Sequence, residues 1–539
     1  MNKVILSTVI LTVAVFSVAY LYFSNISASS RNNDQALSVI PQDAAIIFEF
    51  KNDQSIYDIF SDFTVFDAVI GEQKHDELKA LKAILSNSGG LSQESQGNSI
   101  YLSFHPQADS VAFLWTMPLP AGTDLETVSE ALKSNKNIVY KETPASNTIY
   151  NEIFIKQLKQ TFYFRIDERV LSGSFSKTLL QQSMNSGSAK LSKAFADEII
   201  KSNQQNQNTP ATVFINFRSS IPFLSKFFKR DLNGNYSLLN HFNAVATLNM
   251  NFKSDALMFN GITTSDTSKL NYINLFLHQK AVKNAIKRIV PANTSNFITY
   301  GISDYNSFHT DLKQLLKHRK DLDKLNESLS TIRQESGINT ERDIKKYWGE
   351  EFMTFQLSTQ EKFGAIQLSN GRQLEFFMEP ISSEYSEDIR HVSYPGIFYY
   401  YFGDAFKQFN KPFYTIVENH MILSNSPSSL RRYLNRYSNN LLVTDERFMN
   451  FDQYVANASN ISIFVHNSNS SSNYTSHLKP AYAKNLNRSD QGMRNFYGFS
   501  YQWTSESDHF FTNFYAGYKQ TVTDTISETT NNLSNKPTD

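Results

Sequence analysis

The chain contains no cysteine, which removes disulfides, thiolate metal sites, cysteine nucleophiles and lipid attachment through an N-terminal cysteine. Stability must therefore come from packing alone. Nor is there an excess of charge: 51 Lys and Arg stand against 51 Asp and Glu, so overall electrostatics gives no pull toward nucleic acid or another polyanion. Clustered glycines between a strand and a helix, which a phosphate cradle needs, are missing; Gly89-Gly90 stands alone in a Ser- and Gln-rich loop. The eleven histidines are scattered without an H-E-x-x-H or H-x-H arrangement, and His309 and His318 are nine residues apart, which is not ligand spacing on a helix. No G-x-S-x-G occurs. On these grounds no catalytic, metal-ligating or cofactor-binding residue is assigned, and no cofactor is expected.

What the chain does have is length and aromatic side chains. Its 539 residues exceed a single hydrophobic core, which stops growing at roughly 250–300 residues, so two domains are expected. With 43 Phe and 27 Tyr there is ample apolar surface for two cores, and the aromatics favour sheets.

Residues 4–23 carry no charge and end in Tyr20, Tyr22 and Phe23. At about 1.5 Å per helical residue this run spans roughly 30 Å, the hydrocarbon thickness of a bilayer, and the closing aromatics suit its interface. The reading is an uncleaved membrane anchor over 1–24, with a cleaved signal peptide as the competing one. A tether over 25–38 follows, and a polar tail over 521–539 is read as disordered. This makes the expectation a single-pass membrane protein, with the bulk of the chain on the extracytoplasmic side.

The body of the chain reads as one unit written twice. Ile40-Pro41-Gln42-Asp43 turns into a strand ending at Phe50, and Val290-Pro291-Ala292-Asn293 turns into another ending near Ile302. Asp53 and Asp304 then stand as helix caps. Further stations follow in order about 250 residues apart, among them the strands at 97–101 and 349–353, at 213–216 and 461–464, and at 256–262 and 509–515. Collinearity makes a duplicated fold the simplest account. The fold class is thus α+β: two tandem copies, over 39–268 and 290–520, of a largely antiparallel sheet with helices on one face, joined by a connecting helix over 269–289. A long amphipathic helix is expected from Leu312 to Ile332, stopped at Gly337, with Thr340 and Asp343 as a capping box for the next turn.

The V/I-P-x-D/N turn feeding a strand, the W-G-E-E passage at Trp348 to Glu351 and the F-Y-strand-L-S-x-S-helix passage resemble a bacterial family catalogued as domain of unknown function 3352, typically held by one N-terminal helix. The resemblance covers most of the chain after Ser38. It implies an envelope location and supplies no catalytic residue.

Three further features invite chemistry and have plainer explanations. Ser172-Gly173-Ser174 mimics a nucleophile elbow, but Ser424-Asn425-Ser426 repeats it, as a helix N-cap would. Glu350 and Glu351 are adjacent on a strand and point to opposite faces, so they do not share a site; a solvated pair is expected. Lys313, Lys317, Arg319, Lys320 and Lys324 are interleaved with acids, as on an ordinary charged helix face. The functional expectation is a non-enzymatic envelope protein serving as a binding or scaffolding surface for another envelope protein. The alternatives are a carrier of a lipid or other apolar ligand and a hydrolase with an unrecognised site.

Overall fold

The computed structural model of the chain describes residues 35–51, 80, 84, 98–119, 125–229, 239–437, 440–483 and 492–518, less a few positions inside those stretches. The apolar segment 4–23, most of the tether, Asp53, Gly89-Gly90 and the tail lie outside the described residues. Among those described, no helix is long and apolar enough to cross a membrane. Residues 35–38, expected as the end of a tether, form a helical turn with Ala36 and Leu37 fully buried.

Helix and strand are mixed, and one antiparallel sheet of twenty strands dominates. The first half supplies β1 (Ile46–Lys51), β2 (Ser99–Pro106), β3 (Val111–Pro118), β4 (Ile138–Ala145), β5 (Thr148–Ile155), β6 (Gln160–Asp167), β7 (Val170–Ser174), β8 (Ala211–Asn216), β9 (Ala244–Lys253) and β10 (Ala256–Ser265). From the second half come β11 (Thr294–Gly301), β12 (Trp348–Leu357), β13 (Lys362–Leu368), β14 (Ser382–Ser386), β15 (Ile389–Val392), β16 (Phe413–Val417), β17 (His420–Ser424), β18 (Ile461–His466), β19 (Phe496–Glu506) and β20 (His509–Tyr518). Period-2 burial is plain in β19, where buried and half-buried residues alternate from Phe496 to Gln502.

In the first half the strands pair in the order β4-β5-β6-β7-β3-β2-β1-β8-β9-β10. In the second the order is β14-β15-β16-β17-β13-β12-β11-β18-β19-β20, the same sequence with each label raised by ten. β10 and β20 then pair antiparallel and join the halves, with Asn260 opposite Asn513 and Ile262 opposite Phe511. These two asparagines hold the same place in their own hairpins, opposite Asn249 and Gln502. The junction therefore has the geometry of an isologous contact, in which like meets like across a local two-fold axis.

Among the described residues the longer helices of the first half are α1 (Leu125–Ser134), α2 (Lys177–Met184), α3 (Lys193–Gln205) and α4 (Phe217–Leu224); those of the second include α5 (Tyr305–His318), α6 (Leu322–Ser336), α7 (Gly371–Met378), α8 (Ile397–Phe402), α9 (Pro427–Tyr437) and α10 (Glu446–Asp452). The expectation of helices on one face is corrected here. Ile298, Tyr300, Phe352 and Ile366 pack with Phe308, Leu312, Leu325 and Phe398 of α5, α6 and α8. Their neighbours on the same strands, Phe297, Phe355 and Phe363, pack instead with Leu430, Phe448 and Phe451 of α9 and α10. Strands apolar on both sides require cover on both sides.

The cores also cross the junction. Trp503 and Phe510 share a core with Phe217, Phe242 and Ala246, while Phe496, Ala516 and Tyr518 join that of Trp115 and Phe164.

Three local expectations are corrected. The segment 269–289 is not a helix but two short 3-10 turns, Ile273–Phe276 and Ile286–Ile289, around a strand, Val282–Lys283, that pairs with Ala458–Ser459. Its apolar spacing is consumed by sheet pairing, and the Asn271 side chain accepts the Asn274 N–H that a longer helix would turn inward. The helix expected across 312–332 is broken into α5 and α6 at Lys320, whose φ of 62° is left-handed. The cap of the turn at Thr340–Asp343 is Asn339: its side chain accepts from the Arg342 N–H at 3.3 Å, and Asp343 accepts from the Asn339 N–H at 2.9 Å.

Candidate functional site

Where β9 begins and β10 ends, the opening turn at Gln42 and Asp43, the start of α3 and the length of α4 surround an open cleft of about 550 Å³. Its polar side chains come from five separated stretches. Glu198 on α3 faces Thr264 at the end of β10, whose hydroxyl donates to it at 3.4 Å. Burial nevertheless holds the Glu198 carboxyl above the ordinary carboxylate range. Across the cleft Arg218 pairs with Asp266 at 3.4 Å. The Asp266 carboxyl is held low, first by the Ser268 hydroxyl and less by Arg218, so that pair is largely committed. Phe195, Pro106, Pro222 and Val245 form the apolar part of the wall.

Asp43 belongs to an array that the sequence did not disclose. Its Oδ1 lies 2.7 Å from Nδ1 of His105, whose Nε2 lies 2.9 Å from Oγ of Ser103. The order of contacts is that of a hydrolase triad, but the burial is reversed. In a working triad the hydroxyl faces the substrate and the carboxylate is buried; here Ser103 and His105 are fully buried and the Asp43 side chain is 40% exposed. Ser103 Oγ also donates to the Leu114 carbonyl. The array braces the opening turn against β2 and offers no attackable hydroxyl.

The second half has a cleft in the corresponding place, about 600 Å³ and wider open, lined by Ser358, Gln360, Ser468, Asn469, Ser471, Ser472, Thr475 and Ser476. Ser358 stands where Pro106 does, Ser468 where Arg218 does, and Asn293 and Leu357 replace Asp43 and His105. This lining carries no charge, and its side chains tie the walls together: Asn469 Nδ2 donates to the carbonyls of Ala292 and Thr294, and Ser472 Oγ to that of Ser358. The first cleft is lined by ionisable groups, each with a partner in its wall, whereas the second has only uncharged groups. A third cavity, of about 10 Å³, lies beside the Lys287–Asp452 ion pair under α10 and holds one water at most.

The residues singled out from sequence are not gathered into a site. Glu350 is exposed and Glu351 is 4% exposed, so they point apart as expected, but Glu351 is not solvated. Its two oxygens accept the N–H groups of Ala285 at 2.9 Å and Ile286 at 3.0 Å, capping the turn Ile286–Ile289 while burial pushes its carboxyl up to about 7. His309 is fully buried among Tyr305, Tyr400 and Tyr401 and pushed down to about 4 by burial; it is not a surface histidine. Among the described residues no group of three or more His, Asp and Glu is placed to hold a metal ion.

Ser174 matches Ser424 in the sheet, since it faces Tyr163 as Ser424 faces Phe413. Each hydroxyl donates to a neighbouring strand carbonyl and accepts the N–H of the serine two residues on, Ser176 or Ser426. In the first half the helix cap proper is Ser176, which accepts the Leu179 N–H, two residues beyond Ser174. Arg319 is not part of a free charged face, because it forms a bidentate pair with Asp404.

No protein-family model matches the chain, and the search of curated proteins found no match. Among solved structures, crystal form III of TP0453 aligns over 46% of this chain and 88% of its own, with 13% identity and a TM-score of 0.25.

Proposed function

We propose that the protein is a non-enzymatic binding module of the bacterial envelope, held by an N-terminal membrane helix and built by tandem duplication, and that it takes a partner at the open cleft of the first half. The observation that carries this reading is the difference between the two corresponding clefts: one is lined by the charged side chains Asp43, Glu198, Arg218 and Asp266, while the other has an uncharged, internally bonded lining. The shared strand order and the meeting of Asn260 with Asn513 support the duplication. The stations that resemble domain of unknown function 3352 enter the same proposal, as support for the envelope location.

A lipid carrier is less well supported, because the aromatic residues that suggested it fill cores. Phe352 alone lies within ring contact of Phe276, Tyr300, Phe308, Phe402 and Phe406. The hydrolase reading loses Ser172, Ser424, Glu350 and Glu351 to strand and cap roles. To test the proposal, a photo-reactive residue at Thr264, exposed in the cleft, is cross-linked in intact envelopes. A reproducible adduct there and none at Phe376, exposed elsewhere, is expected; equal labelling at both positions, or none at Thr264, sinks the cleft as the binding site. Alkaline extraction should leave the full chain in the membrane fraction and release a variant lacking residues 1–24.

A further inference from the structure

Between α3 and α10 the sheet lies open to solvent, and its surface there is uncharged. Asn249, Asn260 and Asn513 are cross-strand neighbours on β9, β10 and β20, with Asn260 exposed and the other two half-buried. The row runs on under cover through Gln502, whose side chain is bonded to Ala456 in both directions. Beside it Ile262 and Phe511 face each other, 44% and 39% exposed. On the other side Asn251 Nδ2 donates to Asn260 Oδ1 at 2.7 Å. Beyond Asn249 the first row runs on under cover through Thr212 to Glu49, which is buried; the exposed and half-buried positions of these rows contain no charged residue.

We infer that this floor binds an uncharged glycan chain. Asn249 and Asn260 each already accept one hydrogen bond, from Thr212 Oγ1 and Asn251 Nδ2, but an amide oxygen has a second lone pair and its NH2 group two donors, so the row still complements a sugar hydroxyl, which donates and accepts. Neighbouring strands are about 4.8 Å apart, so the amides recur at a spacing comparable to the advance per sugar of an extended chain. Phe511 and Ile262 give an apolar shelf of the kind that the C–H face of a pyranose ring covers. Charge complementarity selects against the alternatives, since a polyanion or a basic peptide would find no counter-charge on the floor. At Thr264 the same face of β10 reaches the first-half cleft, so a bound chain leads toward Glu198. The inference rests on the binding reading above and adds the ligand's chemistry to it.

The test is calorimetric titration of the full-length protein in detergent with three neutral probes, chitohexaose, cellohexaose and maltohexaose, and with an anionic heparin hexasaccharide. Binding of at least one neutral probe is expected, weakened about tenfold or more by Phe511→Ala and by Asn260→Ala and unchanged by Phe376→Ala. All three positions are exposed, and circular dichroism confirms that each variant is folded. Absence of binding by all three neutral probes, preference for the anionic one, or equal affinity in the Phe511 and Asn260 variants overturns the inference. If a cross-linked partner still forms at Thr264 while no glycan binds, the glycan inference alone fails and the binding module stands.

Discussion

Replacing Glu351 by Gln should alter the pH dependence of folding stability by a calculable amount. The folded carboxyl is raised from 4.5 to about 7, because loss of solvation outweighs the two backbone N–H groups and Arg288 that favour the charged form. At about 1.4 kcal/mol per pH unit this span corresponds to roughly 3 kcal/mol. A carboxyl raised on folding binds its proton more tightly in the native state. Its contribution is therefore complete below about 4.5 and is lost as pH rises through about 7. Glutamine does not titrate. The stability of the native protein minus that of the variant should then fall by roughly 3 kcal/mol between pH 4.5 and pH 8.

The difference must be taken because His309, His420 and His466 are each pushed down to about 4 by burial. They impose the opposite slope in the same window on both proteins, so their effect cancels. Urea unfolding at half-unit pH steps measures the quantity. A difference that stays constant from pH 4.5 to 8 would refute the claim that Glu351 carries its charge into a desolvated site.

His309→Phe should make the protein less sensitive to acid, since a buried histidine held neutral contributes stability that is present above about 6.5 and lost as pH falls through about 4; the midpoint of acid unfolding should move to lower pH. Gly261→Ala would put a methyl 2.0 Å from the Thr247 carbonyl oxygen, a backbone atom that cannot swing aside, and should cost at least about 1–3 kcal/mol in urea denaturation. Ser103→Ala leaves a buried ring nitrogen of His105 without its partner and should cost about 1–3 kcal/mol; any ester-hydrolysing activity in the preparation should be unchanged by it, and its loss would revive the triad.

Local signals carried the sequence reading a long way. Asp304 caps α5, accepting from the Asn306 and Ser307 N–H groups, and Gly337 ends α6 at a φ of 76°. Strands rich in aromatic and β-branched residues cover the stations at 213–216 and 461–464 and at 256–262 and 509–515. What failed depends on distant partners. Nothing near Lys320 announces a break, because Arg319 is drawn to Asp404, eighty-five positions away. The segment 269–289 has helical spacing but meets Ala458 and Ser459, and tertiary pairing overrode propensity. The cleft was invisible because Asp43, Glu198, Arg218 and Asp266 are brought together only by the sheet. His105 was passed over because a lone histidine in a strand has no motif, and its link to Asp43 spans sixty-two positions.

The junction of β10 with β20 also sets an order of assembly. When the ribosome has released residue 265, β10 has its hairpin partner β9 but its other flank must wait for residues 509–518, the last of the described strands. During that interval the nascent first half exposes a strand edge on which every second residue from Ala256 to Thr263 turns its N–H and C=O outward without a partner strand. Because Asn260 and Asn513 occupy like positions, that edge is nearly complementary to itself. A chain stopped early would pair with another stopped early chain across the same register. Premature termination upstream of β20 is thus expected to yield dimers of half-molecules, and timely completion of the C-terminal hairpin is what keeps the full-length protein from the same fate.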